Sequence, residues 1–244
     1  MRDPAVTDLH NPVPLRRRVI AEGLGTGALV TVVIGSGVMA SRLSDDVGVQ
    51  LLINAVATGA ALYVLIAQLA PISGAQLNPV VTGSDAVFGG RHARSVSLYV
   101  TAQVVGAALG AVLANLMFDL PAIDWSTTDR VTAATLLGEV VATFGLTAVI
   151  FGLVRSGRAP LVAPSVALYI TSAYFFTSST SFANPAVTIG RMFSDTFAGI
   201  APSSVPAFIG AQLVGAALGY LAVRVLWPQP LTDAPENIVM EEQA

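Results

Sequence analysis

Two Asn-Pro pairs, Asn78-Pro79 and Asn184-Pro185, are the residues whose types and spacing most clearly indicate chemistry in this sequence. Asn is favoured as the cap before a helix and Pro at the first helical position, so each pair predicts a helix start. A capping Asn accepts hydrogen bonds from its own helix, which leaves its NH2 group to donate to a neutral hydroxyl oxygen. The positive end of the helix dipole repels protons and other cations. The pairs therefore predict hydrogen bonding to neutral groups and exclusion of cations.

Groups for catalysis or metal binding are scarce. The sequence has no Cys, which excludes disulfides, thiolate metal sites and cysteine nucleophiles. Its two histidines, His10 and His92, lie far apart in polar segments and disfavour a His-based metal site. The net charge of -3 gives no sign of nucleic-acid binding. We therefore predict no enzyme activity, no metal, no cofactor and no nucleic-acid partner.

The elements that position the Asn-Pro pairs are predicted to lie in a membrane. Of the 244 residues, 54% are apolar and 11% are charged, whereas about 25% of residues are charged in soluble domains. A bilayer core requires about 20 apolar residues per helix. Six runs of that length carry at most one charged residue each: 19–40, 47–72, 95–118, 131–154, 159–183 and 196–223. Because Pro is tolerated in a first helical turn, the last helix is expected to begin near Ser203.

The arginines predict the orientation of these spans, because cytoplasmic loops are enriched in Arg and Lys. Nine arginines fall on one side of the predicted membrane: Arg2, Arg16, Arg17, Arg18, Arg91, Arg94, Arg155, Arg158 and Arg224. Both termini are therefore expected in the cytoplasm. The predicted domains are a tail over 1–15, a membrane domain over 16–228 and a second tail over 229–244.

The sequence contains an internal repeat. Residues 102–110 and 211–219 are identical at eight of nine positions, and the two Asn-Pro segments match in the same order. Repeat one is expected over about 18–118 and repeat two over about 131–227. Each half holds three spans, an odd number, so the halves enter the membrane from opposite sides. Equivalent Gly-x-x-x-Gly patterns in 102–110 and 211–219 predict close helix crossings.

Each Asn-Pro pair also begins a short apolar segment, over 78–88 and about 184–193. About ten helical residues extend about 15 Å, half the thickness of the bilayer core. Two such half-helices from opposite faces would meet at the midplane with their N-termini facing each other. Irregular backbone at that depth is tolerated only where it lines protein or water, which predicts an aqueous pore.

The segments 73–82 (SGAQLNPVVT) and 181–188 (SFANPAVT) resemble the paired Asn-Pro-Ala loops of the aquaporin, or major intrinsic protein, family. The resemblance implies an all-α fold of six tilted transmembrane helices and two re-entrant half-helices in a 3+3 inverted repeat. It also implies one pore per subunit and a homotetramer in the bilayer. The pore motifs would be Asn78, Pro79 and Val80, and Asn184, Pro185 and Ala186.

The resemblance assigns a role to two intramembrane carboxylates, Glu22 and Glu139. These match the buried glutamates that hold the re-entrant loops by accepting their backbone N–H groups. An unpaired carboxylate in a bilayer is costly, which supports that role. The alternative for Glu22 is pairing with nearby Arg18.

The family's outer constriction corresponds by spacing to Thr58, Ser172, Ser181 and Val187. The sequence departs from the family pattern here, because Val187 occupies the usual arginine position. Four small or aliphatic residues predict a wide, uncharged filter that admits solutes bulkier than water. Arg191, one helical turn beyond Val187, would add charge to the outer vestibule, or would instead pair with Asp195.

These positions predict a passive, bidirectional channel for small uncharged solutes such as glycerol, urea, boric acid and arsenite, and for water. Bacterial members with Val at the arginine position resemble an arsenic-resistance branch, which favours metalloid acids and a location in the bacterial inner membrane. The alternatives are a water-selective pore and an ion-coupled secondary transporter.

Overall fold

Six long helices and two short ones form most of the described chain, which comprises residues 13–89 and 91–228 of a computed structural model. The long helices are α1 (Leu15–Leu43), α2 (Val47–Ser73), α4 (Ala93–Met117), α5 (Ala133–Arg155), α6 (Val162–Phe176) and α8 (Val205–Leu226). The short helices are α3 (Pro79–Gly89) and α7 (Pro185–Arg191). All six long helices, two of them with a preceding 3-10 turn, are long and apolar enough to cross a membrane. The predicted all-α fold with six spans and two half-helices is therefore confirmed.

The ends of some elements differ from the predicted ones. Helix α6 ends at Phe176, although the uncharged run continues to residue 183. The residues that follow include Thr180, Ser181 and Ala183 with positive φ angles, which a helix cannot contain. Helix α7 ends at Arg191, two residues before the predicted end. The predicted tails lie outside the described residues, except for residues 13–15, of which Leu15 already begins α1.

Close packing of small residues joins α1 to α4 and α5 to α8. A Cβ atom added at Gly106 would overlap the carbonyl oxygen of Gly23, and one added at Gly110 would overlap that of Gly27. In the second half, a Cβ atom added at Gly215 would likewise overlap the carbonyl oxygen of Val140. The missing side chains let the backbones approach within van der Waals distance. The two Gly-x-x-x-Gly patterns thus make equivalent helix contacts in the two halves.

The two short helices end at opposite faces of the bundle. Phe88, near the end of α3, stacks on Phe151 of α5 with ring centroids 4.7 Å apart, close to the end of α5. Phe193, just after α7, accepts a hydrogen bond at its carbonyl from Asn115 Nδ2 (2.9 Å), near the end of α4. Because α4 and α5 are consecutive antiparallel spans, their ends lie at opposite faces. Helices α3 and α7 therefore approach the midplane from opposite sides.

The conformation of Gly74 directs the chain from α2 into the first re-entrant segment. Gly74 closes α2 with a φ of 92°, a left-handed conformation that glycine adopts without the steric penalty of a Cβ atom. Its N–H donates to the carbonyl of Ala70 (3.0 Å), which satisfies one of the last carbonyls of the helix. The turn at Gly74 thus places the following residues, Gln76 and Leu77, next to Glu22 of α1.

Candidate pore between the re-entrant segments

Glu22 lies fully buried on α1 and holds the first re-entrant loop. Its Oε1 accepts hydrogen bonds from Ser73 Oγ (2.6 Å) and Gln76 N (3.0 Å). Its Oε2 accepts from Leu77 N (2.6 Å) and Gln103 Nε2 (2.8 Å). Four donors therefore converge on one carboxylate, which compensates for its removal from water.

Glu139 has the equivalent position on α5 and holds the second loop. Its two oxygens accept hydrogen bonds from the backbone N–H groups of Phe182 and Ala183, each at 2.9 Å. Gln212 Nε2 donates to Oε2 at 2.6 Å and also to Thr188 Oγ1 of α7 at 2.9 Å. Each carboxylate thus connects a spanning helix to a re-entrant loop.

Gln103 and Gln212 also hold the re-entrant segments, a role that was not predicted from the sequence. Each donates both to a loop-holding carboxylate and to the threonine one turn into the adjacent half-helix, Thr82 or Thr188. Both glutamines occupy the second position of the repeated segments 102–110 and 211–219. A polar side chain retained in an otherwise small and apolar repeat was the signal that could have identified them.

The carboxylates stabilise an unusual loop backbone. Ala75 and Leu77 in the first loop have φ angles of 45° and 48°, and Ser181 and Ala183 in the second have 53° and 47°. Non-glycine residues adopt this left-handed region only when the surrounding structure compensates for the steric cost. Fixed acceptors at Glu22 and Glu139 supply that compensation.

Asn78 and Asn184 cap the two half-helices and also connect the two loops. Asn78 Oδ1 accepts from Val80 N (3.0 Å), and Asn184 Oδ1 accepts from Ala186 N (3.0 Å) and Val187 N (3.2 Å). The NH2 group of each Asn donates to the opposite loop: Asn78 to Ala183 O and Asn184 to Leu77 O, each at 2.8 Å.

These cross-loop hydrogen bonds correct one prediction. The NH2 group of each Asn was expected to donate into the pore, whereas one of its two N–H bonds joins the loops. Because an amide NH2 group carries two donors, one N–H of Asn78 and one of Asn184 remain for a solute. Pro79 and Pro185 are the first residues of α3 and α7, as expected from their fixed φ.

A cavity lies between the two loops and four of the spanning helices. Each helix contributes residues spaced four apart, which share one helical face. These are Leu29 and Val33 of α1; Thr58, Leu62 and Ile66 of α2; Leu146 and Ile150 of α5; and Val162, Val166, Ile170 and Tyr174 of α6. The re-entrant segments contribute residues 74–78, 81, 181–184, 187 and 191.

Three of the four predicted filter residues line this cavity, and one does not. Thr58, Ser181 and Val187 are lining residues, and Thr58 Oγ1 lies 3.1 Å from Tyr174 OH. Ser172 is exposed on the outside of α6, where its Oγ donates to the carbonyl of Tyr169 (2.8 Å). The assignment of Ser172 is therefore wrong. At about 100° per residue, position 172 lies on the face of α6 opposite to Tyr174.

Arg191 also lines the cavity and is only 2% exposed. Its guanidinium carbon lies 3.4 Å from the ring centroid of Phe182, and its Nε donates to the carbonyl of Ala198. The alternative pairing with Asp195 is wrong. Asp195 instead accepts hydrogen bonds from Thr127 N (3.0 Å) and Thr127 Oγ1 (3.1 Å).

A buried ion pair, which the sequence analysis missed, lies at the end of the first re-entrant segment. Asp85 Oδ2 accepts from Arg91 Nη2 (2.6 Å) and Nε (2.8 Å), and from Gln76 Nε2 (2.5 Å). Gln76 lines the cavity, so the ion pair fixes a wall residue. The two charges lie six residues apart, with Asp85 inside α3 and Arg91 beyond its end, a spacing that does not match one face of a helix.

Comparison with known proteins identifies the family. The model of the major intrinsic protein family matches residues 10–181. The chain is 49% identical over 212 residues to the aquaglyceroporin AqpS of Rhizobium meliloti (strain 1021), covering 87% of this chain and 91% of that protein. It is 29% identical to the glycerol uptake facilitator protein of Pseudomonas aeruginosa, covering 91% and 93% of the two chains.

A solved structure has the same fold. The X-ray structure of the aquaglyceroporin from Plasmodium falciparum matches with a TM-score of 0.70 at 19% sequence identity, covering 88% of this chain and 98% of the other. This match agrees with the arrangement of six spanning helices and two re-entrant segments. The chain therefore belongs to the major intrinsic protein family, whose members are channels and not enzymes.

Proposed function

We propose that the chain is a passive, bidirectional channel for small uncharged solutes, in particular glycerol and metalloid acids such as arsenite, and that it also conducts water. The observation that carries the proposal is Val187. An aliphatic residue occupies the position where the family usually has an arginine, in a cavity that the hydroxyl-bearing residues Thr58, Ser181 and Tyr174 also line. The filter proposed here replaces Ser172 with Tyr174.

This lining suits a solute that has hydroxyl groups on one side and little polarity on the other. Ser181 Oγ has no hydrogen-bonding partner among the described residues, and it can bind a solute hydroxyl. Val187 and the aliphatic residues of α5 and α6 form an apolar surface. Glycerol has hydroxyls and CH2 groups, and arsenite in the form As(OH)3 presents hydroxyls without a charge, so both can replace lost hydration at such a wall.

Stopped-flow light scattering on proteoliposomes tests the proposal directly. Water, glycerol and arsenite fluxes are measured in the same vesicles, with protein-free vesicles as the control. We expect all three fluxes to exceed the control. Water flux without glycerol or arsenite flux would contradict the proposal and identify a water-selective pore.

Ion-coupled transport is not favoured by the hydrogen bonding of the intramembrane glutamates. The oxygens of Glu22 and Glu139 accept hydrogen bonds from loop N–H groups and glutamine side chains. A proton carried by either carboxylate would have to displace these donors. We expect glycerol flux to vanish at zero glycerol gradient, whether or not a proton or sodium gradient is present. Glycerol accumulation driven by either ion gradient would instead indicate a coupled transporter.

We also propose a homotetramer in the bacterial inner membrane, with a channel domain over residues 16–228 and both termini cytoplasmic. Large apolar side chains exposed on the outer helix faces, such as Leu24, Val64 and Leu168, support contact with lipid or with other subunits. Because six spans place the two ends of the channel domain on one side, and most arginines are predicted there, that side is assigned to the cytoplasm.

The absence of cysteine in the native sequence makes the orientation simple to test. A single cysteine at Ser156, between α5 and α6, is expected to react with an impermeant maleimide only from the cytoplasmic side. A cysteine at Ser44, between α1 and α2, is expected to react only from the outside. Cross-linking of purified protein in detergent tests for four subunits.

A further inference from the structure

Two arginines meet at the end of the cavity formed by the second re-entrant segment. Arg191 of α7 lies against one side of the Phe182 ring, and Arg130, from the loop before α5, lies 5.4 Å from the centroid of the same ring. Arg191 donates to the carbonyl of Ala198, and Arg130 donates to those of Gly199 (2.6 Å) and Phe197 (3.0 Å). Three consecutive carbonyls therefore fix two guanidinium groups.

Neither guanidinium group forms a salt bridge with a carboxylate among residues 13–89 and 91–228, and Glu139 interacts with both only at longer range. The nearby carboxylates are engaged with neutral donors. Asp129 accepts from Ser204 Oγ (2.6 Å), and Asp195 accepts from the side chain and backbone of Thr127. Glu139 accepts from loop N–H groups and Gln212. Carbonyl oxygens and an aromatic ring orient the guanidinium groups but do not cancel their net charge.

The internal repeat gives a direct comparison with the other end of the cavity. The offset that relates Asn78 to Asn184 also relates Val81 to Val187 and Asp85 to Arg191. Both valines line the cavity, so each half has an aliphatic residue one turn after the Asn and a charged residue one turn further. In the first half, Arg91 neutralises Asp85. In the second half, the equivalent charge stays positive and lines the cavity.

We infer that Arg191, held by Phe182 and supported by Arg130, is a specificity-determining residue that excludes small organic and inorganic cations, such as ammonium, methylammonium and protons, from a pore whose filter position is aliphatic. The size limit at Val187 and the charge barrier at Arg191 are thus separate in this chain, one helical turn apart. A neutral solute can pass the aliphatic position, whereas a cation meets a fixed positive charge whose field is only partly screened inside a narrow pore. Arg130 acts as a positioning residue, because it contacts the ring and the carbonyl segment but does not line the cavity.

The inference rests on the proposed channel function and is tested in the same proteoliposomes. Methylammonium and glycerol fluxes are compared in the wild-type protein and in Arg191→Gln and Arg191→Lys. We expect the wild-type protein to pass glycerol and exclude methylammonium. The ratio of methylammonium to glycerol flux should rise at least about tenfold in Arg191→Gln, a change of about 1.4 kcal/mol in relative barrier, and much less in Arg191→Lys, which keeps the charge.

A second pair of variants tests the positioning role of Arg130. Arg130→Gln is expected to raise the same flux ratio about threefold, and Arg130→Lys should restore part of the exclusion. A purely structural role would lower both fluxes together and leave the ratio unchanged.

Each remaining outcome has a defined meaning. Wild-type protein that passes methylammonium as readily as glycerol would overturn the inference, even if no variant folds. An Arg191→Gln variant that still conducts glycerol and has an unchanged ratio of methylammonium to glycerol flux would also overturn the inference. If the wild-type protein conducts no neutral solute, the proposed function fails instead.

Discussion

Replacement of Glu139 by Gln tests how the second re-entrant loop is held in place. Glu139 accepts hydrogen bonds from Phe182 N, Ala183 N and Gln212 Nε2 with both of its oxygens. Gln keeps the shape of the side chain but offers one acceptor oxygen, and its NH2 group would face N–H donors. At least one buried donor then loses its partner.

The expected cost follows from those contacts. A hydrogen bond to a charged group contributes about 1.5–3 kcal/mol, and a buried donor without a partner costs about 1–3 kcal/mol. One or two such losses give about 2–5 kcal/mol. For a chain of 150–250 residues, each kcal/mol lowers the melting temperature by about 2–4 °C. We therefore expect Glu139→Gln to melt about 4–20 °C below the wild-type protein.

Thermal unfolding followed by intrinsic fluorescence in detergent measures the effect, together with glycerol flux in proteoliposomes. Glu22→Gln is a matched variant on the other loop, and we expect a similar loss of stability. The exposed Asp45→Asn serves as a control that removes one carboxylate charge without buried contacts. Melting of both glutamate variants within about 2 °C of wild type would refute the role of these carboxylates in holding the loops.

Three further substitutions have defined outcomes. Val187→Arg is expected to lower glycerol flux at least about tenfold relative to water flux, because the larger side chain narrows the pore beside Arg191. Val187→Leu should change the ratio of glycerol to water flux less. The same flux ratio in Val187→Arg and wild type, measured by stopped-flow light scattering, would contradict the filter assignment. Asn184→Asp places a carboxylate in the cavity wall and removes the hydrogen bond to Leu77, so proton leak under a pH gradient should rise, and an unchanged leak would count against cation exclusion there. Gly215→Ala is expected to destabilise the protein by about 2 kcal/mol or more, because the added methyl group would overlap a backbone carbonyl. Gly210→Ala on the same helix has open space around the added methyl group and should be neutral or slightly stabilising. Equal melting temperatures for the two variants would contradict the close packing of α8 on α5.

The sequence contained enough information to predict the spans, the half-helices and the residues of the loops. The motifs that mark these elements occur in both halves of the sequence. A carboxylate inside an apolar run, such as Glu22 or Glu139, is costly in a bilayer unless it accepts hydrogen bonds, which limits where it can lie. The repeat also related the two Asn-Pro segments before any geometry was known.

The filter was harder to predict because α6 carries apolar residues on every face. Its cavity-lining residues, among them Ile170 and Tyr174, do not differ in character from outward-facing ones such as Leu168 and Phe175. Its small polar residues, Ser165, Thr171 and Ser172, are not among those that line the cavity, so they do not reveal the rotation of the helix about its axis. A shift of two positions along the helix therefore led to Ser172 instead of Tyr174.

The hydrogen bonds between the loops have a consequence for biosynthesis. Glu22 accepts the hydrogen bonds that hold the first re-entrant segment, and all of their donors, the last of which is Gln103, lie within repeat one. These bonds can form as soon as that half is inserted. Asn78, in contrast, finds its carbonyl partner at Ala183, which the ribosome adds more than one hundred residues later. The contacts between the two loops at the centre of the membrane therefore cannot form until the second re-entrant segment has been synthesised, so their formation requires both halves of the chain.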